Sequence, residues 1–227
     1  MQLVILAGGK GTRLGNIDIP KCLVKINNKP ILQYQIELAL KYGITDIYIM
    51  ASYFSQQVKD FLSNFNPHGT NIQCRVDDQL RGTAGCLVPI KSYLIEPFMV
   101  FYGDLMMDFN VQRFIDYANE GKRLCTLISH VSDHLYDSDV IEMNNYYVHV
   151  FSRTHKSMSH WTNAGVYILS PDIFKYINVD DYSDFTHDIF PAALMSGEVI
   201  KAYCTDEYIK DIGTPERLEQ VKKQFGG

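Results

Sequence analysis

The residues best equipped to handle an anion stand together near the start of the chain, in Leu6-Ala7-Gly8-Gly9-Lys10-Gly11-Thr12-Arg13-Leu14. Glycine lets a backbone fold closely around a ligand and present several N–H groups to it. Lys10 and Arg13 add positive charge, and a guanidinium grips phosphate oxygens with a planar fork. The spacing excludes two familiar phosphate loops. A dinucleotide fingerprint needs glycine where Leu14 stands, and a Walker loop ends in Gly-Lys-Ser/Thr. An ordinary glycine-rich turn is the alternative, but turn geometry alone does not account for two cations beside three glycines. Further along, Pro20 fixes the chain before Lys21, and Cys22-Leu23-Val24-Lys25-Ile26 reads as partly buried. A lysine held against a buried segment needs an anionic partner; a solvated surface lysine is the competing reading.

Acids stand at comparable places. Tyr102-Gly103-Asp104 closes an apolar run, and Asp211 lies in Lys210-Asp211-Ile212-Gly213-Thr214-Pro215-Glu216. Taken singly, either aspartate fits a turn or capping role as well as a ligand role. In Asp77-Asp78-Gln79-Leu80-Arg81-Gly82-Thr83-Ala84-Gly85 the glycines permit main-chain groups to approach a ligand, or else a helix starts there with Thr83 as its cap. Asp188, in Phe185-Thr186-His187-Asp188-Ile189-Phe190-Pro191, reads equally as a solvated acid on an amphipathic helix. His130 and His134 have i,i+4 spacing but lack the helix and the intervening glutamate of a zinc protease, so a metal role is the weaker reading.

The elements that must position these groups follow from hydrophobic patterning. Leu3 to Leu6 is an aliphatic run suited to a central parallel strand. A helix opens near Pro30, with Pro in its first turn, a buried stripe of Leu32, Ile36 and Leu40, and Gly43 beyond its end. Strands are expected at Asp46 to Met50, Ile72 to Val76 and Phe98 to Phe101, with a helix around Val58 to Phe65, a short one after Gly82 and another over Val111 to Ala118. This alternation implies a parallel sheet flanked by helices. The later chain is richer in strands: Leu124 to Val131, Val140 to Glu142, Tyr146 to Phe151 and Ala164 to Leu169. The expected architecture is a single domain over 1–227, with a Rossmann-like nucleotide-binding half at 1–120 and a mixed-strand acceptor half at 121–227. Ligands of open α/β sheets bind at the carboxyl ends of the strands, which points to the turns after Leu6, Val76 and Phe101.

A chain of 227 residues with 46% hydrophobic and 21% charged residues can bury a substantial core. The net charge of −5, without a Lys/Arg block, argues against a nucleic-acid partner. Five scattered cysteines, with no C-x-x-C pair, argue against a disulfide framework or structural zinc and fit a reducing, cytoplasmic setting. The apolar start is too short to span a membrane.

Taken in combination, Leu6 to Leu14 with its Gly-Gly-x-Gly-Thr-Arg core, Pro20-Lys21 and the helix opened by Pro30 resemble the sugar-1-phosphate nucleotidyltransferase family. The resemblance spans nearly the whole chain and implies a glycosyltransferase-A-like α/β fold. It implies that a nucleotide is held by Leu6, Ala7, Gly8, Gly9, Lys10, Gly11, Thr12 and Arg13, together with Asp78, Gly82, Thr83 and Gly103. The Gly82-Thr83-Ala84-Gly85 loop would pack against the base, although the family often carries Pro-Leu where this chain has Leu80-Arg81. Arg13, Lys21 and Asp104 would serve catalysis, and Asp104 with Asp211 would bind Mg²⁺. On the acceptor side the resemblance implies Lys21, Asn163, Gly165 and Asp188, with Arg153 standing where the family often has a lysine.

The implied reaction joins a nucleoside triphosphate to a sugar 1-phosphate and releases pyrophosphate. Tyr136-Asp137-Ser138-Asp139 and Tyr102-Gly103-Asp104-Leu105 look most like heptose 1-phosphate guanylyltransferases, implying GTP and D-glycero-α-D-manno-heptose 1-phosphate. Asp77 or Asp78 would then meet the paired donors of guanine. A mannose, glucose or aminosugar 1-phosphate, or choline phosphate, with CTP, UTP or dTTP stays open, as does a non-catalytic regulatory module. A homo-oligomer and a phosphatase domain following Gly227 also fit the resemblance.

Overall fold

The computed structural model of the chain describes residues 1–11, 14–15, 18–65, 67–77, 79–131, 138–152, 160–179 and 181–225. Along the chain come β1 (Gln2–Ala7), β2 (Lys25–Ile26), β3 (Lys29–Pro30), α1 (Ile31–Lys41), β4 (Asp46–Ala51), α2 (Ser55–Asn64) and β5 (Asn71–Val76). Then follow α3 (Gly82–Gly85), β6 (Phe98–Tyr102), β7 (Leu105–Asp108), α4 (Val111–Asn119), β8 (Cys125–Val131), β9 (Val140–Asn144), β10 (Tyr147–Ser152) and β11 (Trp161–Leu169). The last elements are α5 (Phe190–Met195), β12 (Ile200–Cys204), β13 (Tyr208–Asp211) and α6 (Pro215–Phe225). The chain divides into two compact units. Met1–Gln79, Phe101–Val111 and Glu207–Gly227 make the first; Leu80–Val100 and Gln112–Asp206 make the second. These units interleave along the chain, whereas the halves expected at 1–120 and 121–227 meet at one point.

In the first unit, β1 pairs in parallel with β4, and β4 with β5. Leu3, Val4, Ile5, Ile47 and Ile49 are fully buried, as the aliphatic patterning requires of interior parallel strands. Helix α1 begins after Pro30, whose ψ of 147° places it at the cap in extended backbone, one residue before the expected first turn. The reason is the β2–β3 hairpin, in which Lys25 pairs with Pro30. Asn27 and Asn28 turn that hairpin at φ 50° and 63°, the left-handed pair of a type I′ turn. The stripe of α1 is also displaced from expectation. Gln35 and Ala39 are buried with Leu32 and Ile36, while Leu40 is half-buried. Far in sequence, β13 pairs antiparallel with β7. Its neighbour α6 contributes Val221 to a cluster with Leu14, Val24, Ile26, Ile31, Met106 and Ile212.

In the second unit the sheet is mixed. β8 pairs in parallel with β12 and antiparallel with β11, and β10 pairs antiparallel with β12 and β9. β9 also meets β11 at Thr162↔Val140. The β9–β10 turn carries Asn145 and Tyr146 at φ 49° and 68°, so Tyr146 belongs to the turn rather than to the strand expected from it. Ser170 caps a 3₁₀ helix, Pro171–Lys175, by accepting from the Asp172 N–H at 3.2 Å, with Pro171 at its first position.

Candidate functional site

In the first unit the glycine loop follows β1 directly. A Cβ on Gly8 would lie 3.3 Å from the Ser52 Cβ, tight enough to explain glycine there. Gly11 has φ +70°, and its carbonyl accepts the Leu14 N–H at 2.9 Å, closing the turn. Lys10 Nζ sits 4.3 Å from the centre of the Tyr53 ring, a cation–π contact. Thr12 and Arg13 lie outside the described residues.

Lys21 has the anionic partner that its surroundings demand. Pro20 opens a 3₁₀ turn, Lys21–Leu23, that buries Cys22. The Lys21 side chain is only 13% exposed, and Nζ donates to Asp104 Oδ2 at 2.9 Å. Burial raises the Cys22 thiol from 9.0 to about 12, with Asp104 adding a smaller push in the same direction.

Asp104 sits in the turn between β6 and β7, and two devices shape that turn. Gly103 donates its N–H to the Leu6 carbonyl at 3.0 Å, and a Cβ there would stand 2.6 Å from the same oxygen. Gln35 Nε2 donates to the carbonyls of Tyr102 at 2.9 Å and Leu105 at 2.8 Å, bracketing Gly103-Asp104. On the neighbouring strand Asp211 pairs with Leu105, and the Ile212 N–H donates to the Asp104 carbonyl at 3.0 Å. Asp211 Oδ1 accepts from the Gly213 N–H at 2.7 Å. Arg217 Nη1 donates to both carboxylate oxygens, at 2.9 and 3.1 Å, from a side chain 8% exposed. Lys21, Asp104 and Asp211 are thus gathered on adjoining segments of one unit.

No group of three His, Cys, Asp or Glu poised for a metal occurs among the described residues. Mg²⁺ does not need one, since one or two carboxylates plus substrate phosphates usually hold it. Asp104 and Asp211 are partly exposed, hard oxygen donors on adjoining segments, and they fit that requirement. Asp77 is buried, and its Oδ1 accepts the Gln79 N–H at 3.0 Å, so that oxygen supports its own turn. Asp78 lies outside the described residues.

In the second unit the Gly82–Gly85 loop is fastened to residues 181–185. Gly82 has φ +76°, and a Cβ there would lie 2.4 Å from the Ser183 carbonyl oxygen. That oxygen accepts the Ala84 and Gly85 N–H groups at 3.0 and 3.2 Å, and the Ser183 N–H donates back to Arg81 at 2.9 Å. These glycines therefore serve close packing of two segments, a reason independent of any ligand. Thr83 does not cap its own helix. Its hydroxyl donates to Asp184 Oδ2 at 2.8 Å and accepts the Phe185 N–H at 3.0 Å.

The acceptor-side expectations divide. Asn163 occupies a bulge in β11, where the register against β8 shifts before Tyr167 and Gly165 has φ +74°. Its side chain is engaged locally: Nδ2 donates to the Tyr167 hydroxyl at 2.6 Å and Oδ1 accepts the Gly165 N–H at 3.2 Å. Asp188 Oδ2 accepts the Asp184 N–H at 2.7 Å, a reciprocal cap on the π-helical turn Phe185–Ile189. Arg153, Tyr136, Asp137 and His134 lie outside the described residues. Four residues carried no individual role in the sequence: Gln35, Arg217, Asp139 and Asp184. Gln35 left a signal as a polar residue inside an apolar helical stripe, and Asp139 only as part of the Tyr136 to Asp139 segment.

Comparison with known proteins fits this arrangement. The profile of the family described as "Nucleotidyl transferase" matches residues 2–226. The chain is 30% identical over 228 residues to the mannose-1-phosphate guanylyltransferase catalytic subunit beta of Drosophila pseudoobscura pseudoobscura, covering 95% of this chain and 60% of that protein. The chain thus spans about 60% of the length of that relative. It is 27% identical to the D-glycero-alpha-D-manno-heptose 1-phosphate guanylyltransferase of Campylobacter jejuni, covering 95% of this chain and 96% of that one. The crystal structure of HddC from Yersinia pseudotuberculosis complexed with GMP-PN superposes with TM-score 0.83 at 27% identity, over 99% of both chains. A Bacillus anthracis structure described as a putative glucose-1-phosphate thymidylyltransferase reaches TM-score 0.86 at 19% identity, over 99% and 94%, and speaks to the fold alone. The fold is the glycosyltransferase-A-like α/β fold of nucleotidyltransferases. Because the family match runs through both units almost from end to end, this chain belongs to the nucleotidyl transferase family.

Proposed function

We propose that the chain transfers GMP from GTP to a manno-configured sugar 1-phosphate, with D-glycero-α-D-manno-heptose 1-phosphate as the acceptor, releasing pyrophosphate and forming a GDP-sugar. The observation that carries the reading is the gathering of Lys21, Asp104 and Asp211 on adjoining segments, the first two in turns after β1 and β6 and the third at the end of β13. An acceptor oxygen attacks the α-phosphorus while the bond to the departing pyrophosphate breaks. The sugar phosphate is already ionised at neutral pH, so no general base is needed. What the protein must supply is alignment and positive charge. Lys21 is the described cation for that task, and Arg13 is assigned beside it from the sequence. Asp104 and Asp211 would hold Mg²⁺, which when bound neutralises charge on the phosphate oxygens. Lys21 would then divide its charge between Asp104, its partner at 2.9 Å, and the phosphate oxygens of the bound substrates.

Gly82 to Gly85 is assigned to the base, and Asn163, Gly165 and Asp188 to the acceptor. Asn163 and Asp188 act there chiefly through the backbone they shape, because their side chains bond to neighbours in their own segments. The guanine assignment is supported by relatives named for mannose 1-phosphate and manno-heptose 1-phosphate guanylyl transfer, and by the GMP-PN complex. Heptose is supported by the Campylobacter relative and by Tyr102-Gly103-Asp104-Leu105. A reducing, cytoplasmic setting is consistent with five cysteines that form no disulfide, and no helix among the described residues is long and apolar enough to cross a membrane.

The test is pyrophosphate release over a grid of GTP, CTP, UTP and dTTP against heptose, mannose and glucose 1-phosphates. GTP with a manno-configured acceptor is the expected optimum. A preference for another base overturns guanylyl transfer alone. A protein that binds the nucleotide but releases no pyrophosphate with any pair is the regulatory module instead.

A further inference from the structure

The second unit contains a continuous run of side-chain hydrogen bonds that the reaction chemistry does not use. It begins in the Gly82–Gly85 loop, where the Thr83 hydroxyl donates to Asp184 Oδ2 at 2.8 Å. The other Asp184 oxygen, Oδ1, accepts the Thr186 N–H at 2.9 Å and the His187 N–H at 3.3 Å. The Thr186 hydroxyl lies 2.9 Å from Asp184 Oδ1 and 2.8 Å from Asp139 Oδ2. The Asp139 carbonyl accepts the Asn163 N–H at 2.9 Å, at the mouth of the β11 bulge. His187 Nε2 stands 3.8 Å from the remaining Asp139 oxygen.

We infer that Asp184 is a positioning residue that holds the nucleobase loop and the acceptor strand in register with one another. The inference rests on the reading of Gly82–Gly85 as the base loop and of Asn163 as an acceptor-side residue. Asp184 reaches in both directions: one carboxylate oxygen holds Thr83 and the other holds Thr186. A buried hydroxyl carries a single proton, so Thr186 donates to Asp184 or to Asp139 at any moment. Thr186 is 3% exposed, which keeps water from substituting for either bond. The backbone around the hub is irregular in the way expected of a functional device. Asp184 caps a π-helical turn, an uncommon form enriched at functional sites. At Gly82 the two segments pack backbone against backbone, close enough that a Cβ would lie 2.4 Å from the Ser183 carbonyl oxygen. An arrangement needed only for stability would have no reason to end at the two substrate segments.

The test uses Thr83→Val, Thr186→Val, Asp184→Asn and the conservative Thr83→Ser in the full chain. Steady-state KM for GTP and for D-glycero-α-D-manno-heptose 1-phosphate is measured with kcat, alongside calorimetric binding of each substrate and thermal unfolding. Thr83→Val is expected to raise the KM for GTP by about tenfold with little change for the acceptor, the loss typical of one hydrogen bond to a charged group. Thr186→Val should do the reverse. Asp184→Asn should raise both, and Thr83→Ser should restore the wild-type GTP value to within about twofold. Variants that unfold at lower temperature yet keep both KM values and both affinities overturn the inference and leave a purely structural network. The inference fails equally if Thr83→Val and Thr186→Val affect both substrates alike, since the hub would then have no direction. A wild type that binds and converts neither substrate is a different failure: it overturns the functional reading, and the inference falls with it.

Discussion

Lys21 and Asp104 form the ion pair on which the proposed chemistry rests, and the two side chains should fail in different ways. Lys21 Nζ is 2.9 Å from Asp104 Oδ2 and largely shielded from water, so its charge is little screened where phosphate would develop negative charge. Lys21→Ala is expected to cost about 2–4 kcal/mol of transition-state stabilisation, or roughly thirty- to a thousandfold in kcat/KM. Circular dichroism and thermal unfolding establish that the variant is folded, and near-normal kcat/KM in a folded protein would remove Lys21 from this role. Asp104→Asn and Asp211→Asn preserve shape and remove charge. Each is expected to raise the Mg²⁺ concentration at half-maximal rate. Asp211 already carries Arg217 and the Gly213 N–H on its carboxylate, so an unchanged Mg²⁺ titration in Asp211→Asn would reduce it to a turn-forming residue.

Helix α1 has a task beyond burying its apolar stripe. Gln35 spans from that stripe to the carbonyls of Tyr102 and Leu105, fixing the turn that presents Asp104. Gln35→Leu is close in volume but removes the donor to the Tyr102 and Leu105 carbonyls, at a cost of about 1–3 kcal/mol for the buried bond to Leu105. The expected result is a lower unfolding temperature together with weaker Mg²⁺ activation, because the Asp104 turn relaxes. Loss of stability with unchanged Mg²⁺ response would confine Gln35 to a structural role. This residue marks how far the sequence could be read. Strong local periodicity made β1, α1, β4, β6 and β8 legible within a residue or two. The β2–β3 hairpin escaped because two-residue strands carry no period, although Asn27-Asn28 is a fair left-handed turn signal. The β13–β7 pairing and the Arg217–Asp211 contact depend on chain segments about a hundred residues apart or on a helix packing angle, and no local pattern encodes either. The glycines of the Gly82–Gly85 loop were found through their types, but the reason the structure gives for them, contact with Ser183, is tertiary.

Across the whole molecule, the buried thiols bear both on mechanism and on the alkaline limit of stability. Burial raises the thiol values of Cys22, Cys74, Cys125 and Cys204 above 9.0. None of these four offers a thiolate nucleophile at neutral pH, which agrees with direct displacement rather than a covalent intermediate. Cys125, in the middle of the second unit, is fully buried, and its value lies well above 9.0 with burial as the cause. The sign follows from proton binding. Below pH 9 the thiol is protonated in both folded and unfolded chains and costs nothing. Above pH 9 the unfolded chain releases the proton while the folded chain keeps it, so stability falls as pH rises toward the folded value. By pH 10.5 the unfolded thiol is mostly ionised while burial resists ionisation of Cys125 in the folded chain, so this group lowers stability as pH rises. Denaturant unfolding of the wild type and of Cys125→Ala at pH 8 and pH 10.5 checks this. The cavity left by the substitution lowers stability equally at both pH values, and other groups titrate in both proteins, so the change with pH isolates the thiol. Cys125→Ala is expected to lose less stability between the two pH values than the wild type. An identical loss in both proteins would mean that Cys125 ionises as readily in the folded chain as in the unfolded one, and that the interior of the second unit admits water at β8.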